Sequence, residues 1–249
     1  MMQTIYVMWL RQLKRYWRSK PRLLGSFGQP ILFLIAFGFG LNPVFEKAGQ
    51  GDYITFLAPG VIAMSVLFTS MFTGIEVVWD RKFGFLKETL VAPISRTNIM
   101  IGRTLGGATI STIQGLVVFI LTLLIGFRPT SMFSIVPALF LMFLISLMLT
   151  AFGTAIATRI DDMQAFPMIM NFLIMPMFFL SGALFPVGDL PPFMDFLVRL
   201  NPLSYGVDAL RGVLTSSFAF TLTIDLIVLS TLTLAVNYVG SRLFATIEV

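Results

Sequence analysis

The chain contains neither cysteine nor histidine. That excludes disulfide staples, thiolate nucleophiles, and imidazole bases or metal ligands. Charge is scarce too: Asp, Glu, Lys and Arg make up 12% of 249 residues, where a soluble domain carries about 25%. No Gly-x4-Gly-Lys-[Ser/Thr] phosphate loop is present. The nearest glycine-rich piece, GRTLGGAT from Gly102 to Thr109, lacks the lysine, which excludes ATP binding by that mechanism. The opening MMQTIYVMWLRQLKRYWRSK places its charge after a short apolar run with no small-residue cleavage site, so it does not read as a secretory signal.

What is present is apolar. Hydrophobic residues make up 57% of the chain, with 26 Phe and 15 Met. A membrane span needs about 20 predominantly apolar residues. Six stretches meet that requirement: Leu23–Leu41, Ile54–Ile75, about Thr104–Ile125, about Phe133–Ala157, Ala165–Val187 and roughly Leu222–Val239. The expected fold is therefore all-α, a polytopic membrane protein with six transmembrane helices in one domain, residues 1–249. An even number of spans puts both termini on one side. With the N-terminus inside, thirteen of the 17 Lys and Arg are on the inner side, leaving only Lys47, Arg128, Arg199 and Arg211 outside. This bias assigns both termini to the cytoplasm. The net charge of +5 is thus a topology signal, not a sign of nucleic-acid binding.

Three segments outside the spans carry information. In residues 1–22, Ile5, Trp9, Leu13 and Tyr16 recur at helical spacing, with Arg11, Lys14, Arg15, Arg18 and Arg22 mostly on other faces. This reads as an amphipathic interface helix, aromatics at headgroup depth and cations toward anionic lipid. In Gly188–Thr221, Phe193, Phe196, Leu200, Leu203 and Tyr205 alternate with charges, and Pro191, Pro192 and Pro202 punctuate the run. Two short re-entrant helices, or a cap on the lipid surface, account for it. In residues 78–103, WDRKFGFLKETLVAPISR packs four cations and two anions between apolar spans. From Trp79 to Leu90 a helix would put Phe83, Leu86 and Leu90 on one face and Arg81, Lys82, Lys87 and Glu88 mostly elsewhere, with Pro93 ending it. Such a helix suits a groove on a cytoplasmic partner. A topogenic loop against lipid headgroups is the alternative.

Enzyme chemistry finds no constellation. Asp80, Glu88, Asp161 and Asp162 sit at the cytoplasmic edge, and the Asp161–Asp162 neighbours read as a loop or helix end in preference to a metal site. An ion-coupled carrier keeps an ionisable group at mid-membrane, and the closest here, Glu76 and Asp225, fit at helix ends. A membrane anchor or scaffold for a cytoplasmic partner stays open on the residues alone.

The whole chain resembles the membrane subunit of type-2 ABC exporters, in the manner of the daunorubicin-resistance and nodulation-type permeases. The resemblance rests on the amphipathic start, the six-span layout, RKFGFLKETLVAPISR with Gly84, Leu90, Pro93 and Arg96, and LSGALFPVGDLPPFMDFLVRLNPLSYGVDALRG from Leu180 to Gly212. In the latter, Ser181-Gly182, Phe185-Pro186, Leu190-Pro191, Asn201-Pro202 and Asp208–Arg211 match the family signature. The resemblance implies a permease dimer over two copies of a separate ABC ATP-binding subunit, which binds ATP and Mg, with no cofactor in this chain. It implies that Arg81, Lys82, Gly84, Lys87, Glu88, Pro93 and Arg96 belong to a coupling helix. Asn201, Pro202, Asp208 and Arg211 would belong to the outer re-entrant segment, and Arg159, Asp161 and Asp162 to a lesser ATPase contact. The implied cargo is a drug, lipid-linked glycan or other amphiphile, exported across a prokaryotic plasma membrane. Asp208 and Arg211, three apart, are expected to pair on one helix face.

Overall fold

The computed structural model describes residues 2–47, 51–91, 94–188 and 190–246, and among these all regular structure is helical. In chain order the helices are α1 (Met2–Arg18), α2 (Lys20–Phe33), a π-helical turn (Leu34–Phe39), α3 (Gly40–Lys47), α4 (Tyr53–Thr73), α5 (Ile75–Lys82) and α6 (Phe85–Val91). Then come α7 (Arg96–Ile125), a short 3-10 turn leading into α8 (Ile135–Ala157), α9 (Ala165–Phe179), α10 (Pro192–Leu200), α11 (Pro202–Thr215) and α12 (Leu222–Ala245).

Five stretches are long and apolar enough to cross a bilayer: Gly25–Lys47, Tyr53–Lys82, Arg96–Ile125, Met132–Ala157 and Leu222–Ala245. The chain is an all-α polytopic membrane protein. The stretch Ala165–Val187, expected to be a full span, is helical only to Phe179. Its 15 residues reach about 22 Å at 1.5 Å per residue, short of the ~30 Å hydrocarbon thickness. The cause is local. Ser181 Oγ donates to the Phe178 carbonyl at 2.6 Å, and Gly182 adopts φ +71°, a left-handed turn that glycine makes without steric cost. The following residues fold back on α4, where a Cβ on Gly60 would lie 2.6 Å from the Ala183 carbonyl oxygen.

The helix ends follow from side-chain chemistry. Asp52 caps α4 by accepting from the Ile54 and Thr55 N–H groups at 3.3 and 3.0 Å. Asn201 caps α11, with Pro202 at its first position.

The centre of the bundle is α4, whose span is 78% buried, against 17% for the spans containing α2 and α12. In a bilayer, apolarity alone does not drive helices together, and close backbone approach at small residues does. Here α4, α7 and α8 use that device. A Cβ at Gly115 would meet Val66 Cγ2 at 2.8 Å, and one at Gly74 would meet the Gly153 carbonyl carbon at 2.6 Å. Span one is looser. Pro30 removes one helical N–H, and the π-helical turn follows a few residues later.

Candidate functional site

The charged end of the bundle collects the C-terminal ends of α5, α8 and α12, the N-terminal ends of α7 and α9, and helices α1 and α6. The segment expected to be one helix from Trp79 to Leu90 is two. The Phe83 N–H donates to the Trp79 carbonyl at 2.9 Å and closes α5. Gly84, at φ +79°, turns the chain, and the Lys87 N–H returns to the Gly84 carbonyl at 3.0 Å to begin α6. The break divides the expected apolar seam. Leu86 is fully buried in the bundle, whereas Phe83 is 76% exposed. The Leu90 side chain and Pro93 lie outside the described residues.

The cations of this segment divide in the same way. Arg81 turns inward, pairing with Asp161 and donating from Nη2 to the Thr158 carbonyl at 2.7 Å, so it fastens α5 to the turn after α8. Arg96 Nη1 donates to the Ala245 carbonyl at 2.5 Å and fastens α7 to the end of α12. Lys82, Lys87 and Glu88 remain on the surface beside Phe83 and Val91. Three of the expected residues thus form an exposed apolar-and-charged projection, two brace it from behind, and Gly84 supplies its turn.

Behind the projection lies a buried ionic cluster that the periodicity of the segment does not reveal. Asp80, 4% exposed, accepts from Arg11 through both oxygens, at 2.8 and 3.0 Å, from Arg15 at 3.3 Å, and from Arg103. A bidentate Arg–carboxylate fork of this kind fixes orientation as well as distance. Arg103 is itself 2% exposed, seven residues into α7. The Arg11 guanidinium also lies 3.9 Å from the Phe85 ring centroid, and that of Arg15 lies 5.2 Å from the Trp79 ring.

The cluster changes the reading of α1. The expected amphipathic helix is there, from Met2 to Arg18. Its buried face, however, is Met8, Gln12 and Tyr16, packed on α7. A Cβ on Gly106 would lie 2.6 Å from Gln12 Cβ. Trp9 Nε1 donates to Thr109 Oγ1 at 3.0 Å, and Tyr16 Oη donates to Gln114 Oε1 at 2.8 Å. Arg11 and Arg15 turn toward Asp80 and not toward lipid, because a buried carboxylate on the packed side outcompetes a solvated headgroup. The outward side carries Tyr6, Val7 and Trp17. The detectable sequence signal is the small-residue pair Gly102 and Gly106 around Arg103 in an otherwise uncharged run.

At the opposite end, α11 is wedged among α4, α8 and α12. Asn201 accepts from the Leu203 N–H at 3.1 Å while its amide donates to the Met177 carbonyl at 2.6 Å, so one side chain joins α9 to α11. Pro202 begins the helix. The expected Asp208–Arg211 ion pair is not made. Asp208 instead accepts the Ala219 and Phe220 N–H groups, each at 2.8 Å, and Arg211 donates to the Gly182 carbonyl at 2.9 Å and stacks 4.0 Å from the Phe56 ring. Backbone groups left open by the turns on either side are nearer to each charge than the two charges are to one another. Helix α10 leaves Phe193, Phe196 and Leu200 exposed on one side.

Between α2 and α4, toward the charged end, lies a cavity of about 300 Å³ lined among others by Gln29, Pro30, Ser65, Phe68 and Phe72, with no charged side chain in its wall. No cluster of carboxylates able to hold a metal occurs among the described residues.

A family model described as ABC-2 type transporter matches residues 3–215. The chain belongs to the ABC-2 type transporter family. It is 31% identical over 224 residues to a putative transport permease ycf38 of Pyropia yezoensis, covering 87% of this chain and 75% of that protein. The corresponding protein of Porphyra purpurea is 29% identical over 221 residues, covering 86% and 75%. Nodulation protein J of Rhizobium leguminosarum bv. trifolii is 27% identical over 194 residues, covering 77% and 73%. The chain is thus a membrane permease of an ABC-type transport system, and its part in that system is passage, not catalysis. The ABC-2 match takes in α1 from residue 3, the α5–α6 projection and the α10–α11 segment alike, and ends before α12.

Proposed function

We propose that the chain is the permease half of an ATP-driven exporter. Two copies form the path through the membrane, and two separate ABC ATP-binding subunits, which hold ATP and Mg, dock beneath them. In this reading α9 with the turn after it is a sixth crossing, completed by protein in place of a full-length helix. Both termini and the charged end face the cytoplasm of a prokaryotic cell, at its plasma membrane. Helix α1 is the interface helix, and α10 and α11 are the re-entrant outer pair. The exposed Phe193, Phe196 and Leu200 of α10 meet the outer half of the bilayer.

The observation that carries the proposal is the braced projection. Lys82, Phe83, Lys87, Glu88 and Val91 are presented outward, while Arg81, Leu86 and Asp80 tie the same short segment to α8, to the core and to α1 and α7. A topogenic loop has no use for such fixation, whereas a surface that must transmit movement from a partner does. Membership of an ABC-type family supports an ATPase as that partner. The path is expected to accept an amphiphile, whether drug, lipid-linked glycan or another bulky apolar cargo. The cavity between α2 and α4, uncharged and aromatic-walled, fits such a molecule.

The test is gentle extraction of the tagged chain from its native membrane, with identification of its companions by mass spectrometry and assay of ATP hydrolysis. A roughly equimolar companion with a phosphate-binding loop, stimulated by the permease, is the expected result. An unrelated cytoplasmic enzyme in its place would make the chain a scaffold. Transport driven by an ion gradient without any nucleotide-binding companion would make it a carrier.

A further inference from the structure

Helices α8, α9 and α12 do not close on one another at the charged end. They leave a groove of about 480 Å³ whose wall is apolar apart from one residue, with Phe152, Ile156, Ile169, Val236 and Val239 along it and Arg159 at its lip. The back is sealed at Gly240, where an added Cβ would lie 3.5 Å from both the Ala155 methyl carbon and the Ala151 carbonyl oxygen. The front is open, with Ile169 38% and Val239 52% exposed. Arg159 is exposed and has neither a hydrogen bond nor an ion pair from its side chain among the described residues. Its near neighbours are differently occupied. Asp161 pairs with Arg81, and Arg242 donates to the Tyr238 hydroxyl at 3.0 Å. Tyr238 and Arg242 belong to the same last turns of α12, an aromatic and a cation at the depth where both are enriched in membrane proteins.

We infer that this groove is a binding site for an anionic phospholipid, one acyl chain lying between α8 and α12 and the phosphate on Arg159. The wall has no donor or acceptor for a polar ligand, so the body of the occupant is hydrocarbon. The lip carries a cation whose side chain makes no ion pair among the described residues, so its head is anionic. The two lie at one end of the same groove, the depth of a headgroup above its chain. Basic pockets between transmembrane helices on the cytoplasmic side take acidic headgroups for this reason. The site does not depend on the cargo, and it stands whether or not the chain exports.

The test uses the full chain with its native companions, exchanged into nanodiscs of dioleoylphosphatidylcholine carrying a minority of dioleoylphosphatidylglycerol. The lipids retained after release in a native mass spectrometer are then counted. Phosphatidylglycerol is expected to be retained above its share of the bilayer by about fivefold, the contribution of one cation near an anionic headgroup. Arg159→Ala removes the enrichment, Arg159→Lys keeps part of it, and Val236→Trp, which fills the groove, removes the retained lipid altogether. Two lipids retained in proportion to the bilayer, or enrichment untouched in Arg159→Ala, overturns the assignment. So does a disulfide between two copies through Val239→Cys, a clean probe in a chain with no cysteine, since it would show a second copy on this face. If Arg159→Ala does not fold, the wild-type comparison of the two lipids and the Arg159→Lys variant decide alone.

Discussion

Removing the Asp80 carboxylate is the sharpest perturbation of the charged end. Asp80→Ala strips Arg11 of a two-point contact, at 2.8 and 3.0 Å, and leaves Arg103 at 2% exposure without its ion-pair partner. The Arg103 Nε and Nη1 already lack hydrogen-bond acceptors among the described residues, and a single buried carboxylate, Glu76, remains near it. Breaking one side of a buried ion pair costs about 3–5 kcal/mol, because a charge remains without compensation. For a chain of this size that is a loss of Tm on the order of 10 °C. The Arg11 and Arg15 side chains are 25% and 31% exposed and can turn to water, so most of the cost comes from Arg103. Arg103→Met is accordingly expected to lose less, and Asp80→Ala with Arg103→Met to lose less than Asp80→Ala alone. The measurements are thermal unfolding of the solubilised protein and limited trypsin digestion. With the clamp gone, α1 lifts from α7 and cutting after Arg11, Lys14 and Arg15 accelerates. An Asp80→Ala protein within about 2 °C of wild type, under 1 kcal/mol on the same scale, with unchanged digestion, would refute the reasoning.

Other parts of the bundle yield smaller effects. Gly84→Ala places a Cβ at φ +79°, a cost of about 1–2 kcal/mol, and is expected to lower companion-stimulated ATP hydrolysis as α6 is displaced. Unchanged stimulation would remove Gly84 from the coupling surface. Asn201→Ala loses the cap on Leu203 and the bond to Met177, about 1–2 kcal/mol, seen as a lower Tm. Lys82→Glu with Lys87→Glu changes only exposed charges and is expected to shift stability by no more than about 0.5 kcal/mol, yet to abolish binding of the ATP-hydrolysing companion. If the companion stays bound, the projection is not its docking surface.

Long apolar runs made five spans legible, because hydrocarbon thickness sets a length that composition must meet. The shortness of α9 was not legible. Its apolar run continues to Val187, and what stops the helix is a serine hydroxyl and a left-handed glycine, which carry no hydropathy. The face of α1 was legible as a period but not as a contact. Periodicity pointed to Ile5, Trp9, Leu13 and Tyr16, whereas the fully buried side, which meets Gly102 and Gly106 of α7, is Met8, Gln12 and Tyr16. Asp80 was visible only as an edge charge, since its partners Arg11 and Arg103 lie 69 and 23 residues away and no local pattern links them. That Lys82, Lys87 and Glu88 are exposed was read from the charge pattern, although the single helix expected to carry them is broken at Gly84. That Arg81 and Arg96 are braces was not, for their acceptors are on the turn after α8 and the end of α12. Asp208 and Arg211 show the limit of spacing rules. Three residues apart permits a pair, but backbone groups from neighbouring turns reached each charge first.

The charged cluster is an uneconomical way to hold three helices together. Well-packed apolar side chains in the same volume are often more stabilising than a buried ion network, by about 1–4 kcal/mol. What the network adds is direction. The Arg11 fork, with Phe85 under its guanidinium, allows one rotation of α1 against α5, and Arg103 extends that constraint to α7. Apolar packing tolerates slippage, and slippage between α6 and α7 would dissipate a push arriving at Phe83 and Val91. Replacing Arg11, Asp80 and Arg103 together by leucine, leucine and methionine therefore separates the two roles. The triple variant is expected to match or exceed the wild-type Tm and to bind the companion, while its stimulation of ATP hydrolysis falls to the level of the companion alone. Stimulation retained in full by a stable triple variant would mean that shape alone carries the coupling and that the charges serve only to hold α1 in place.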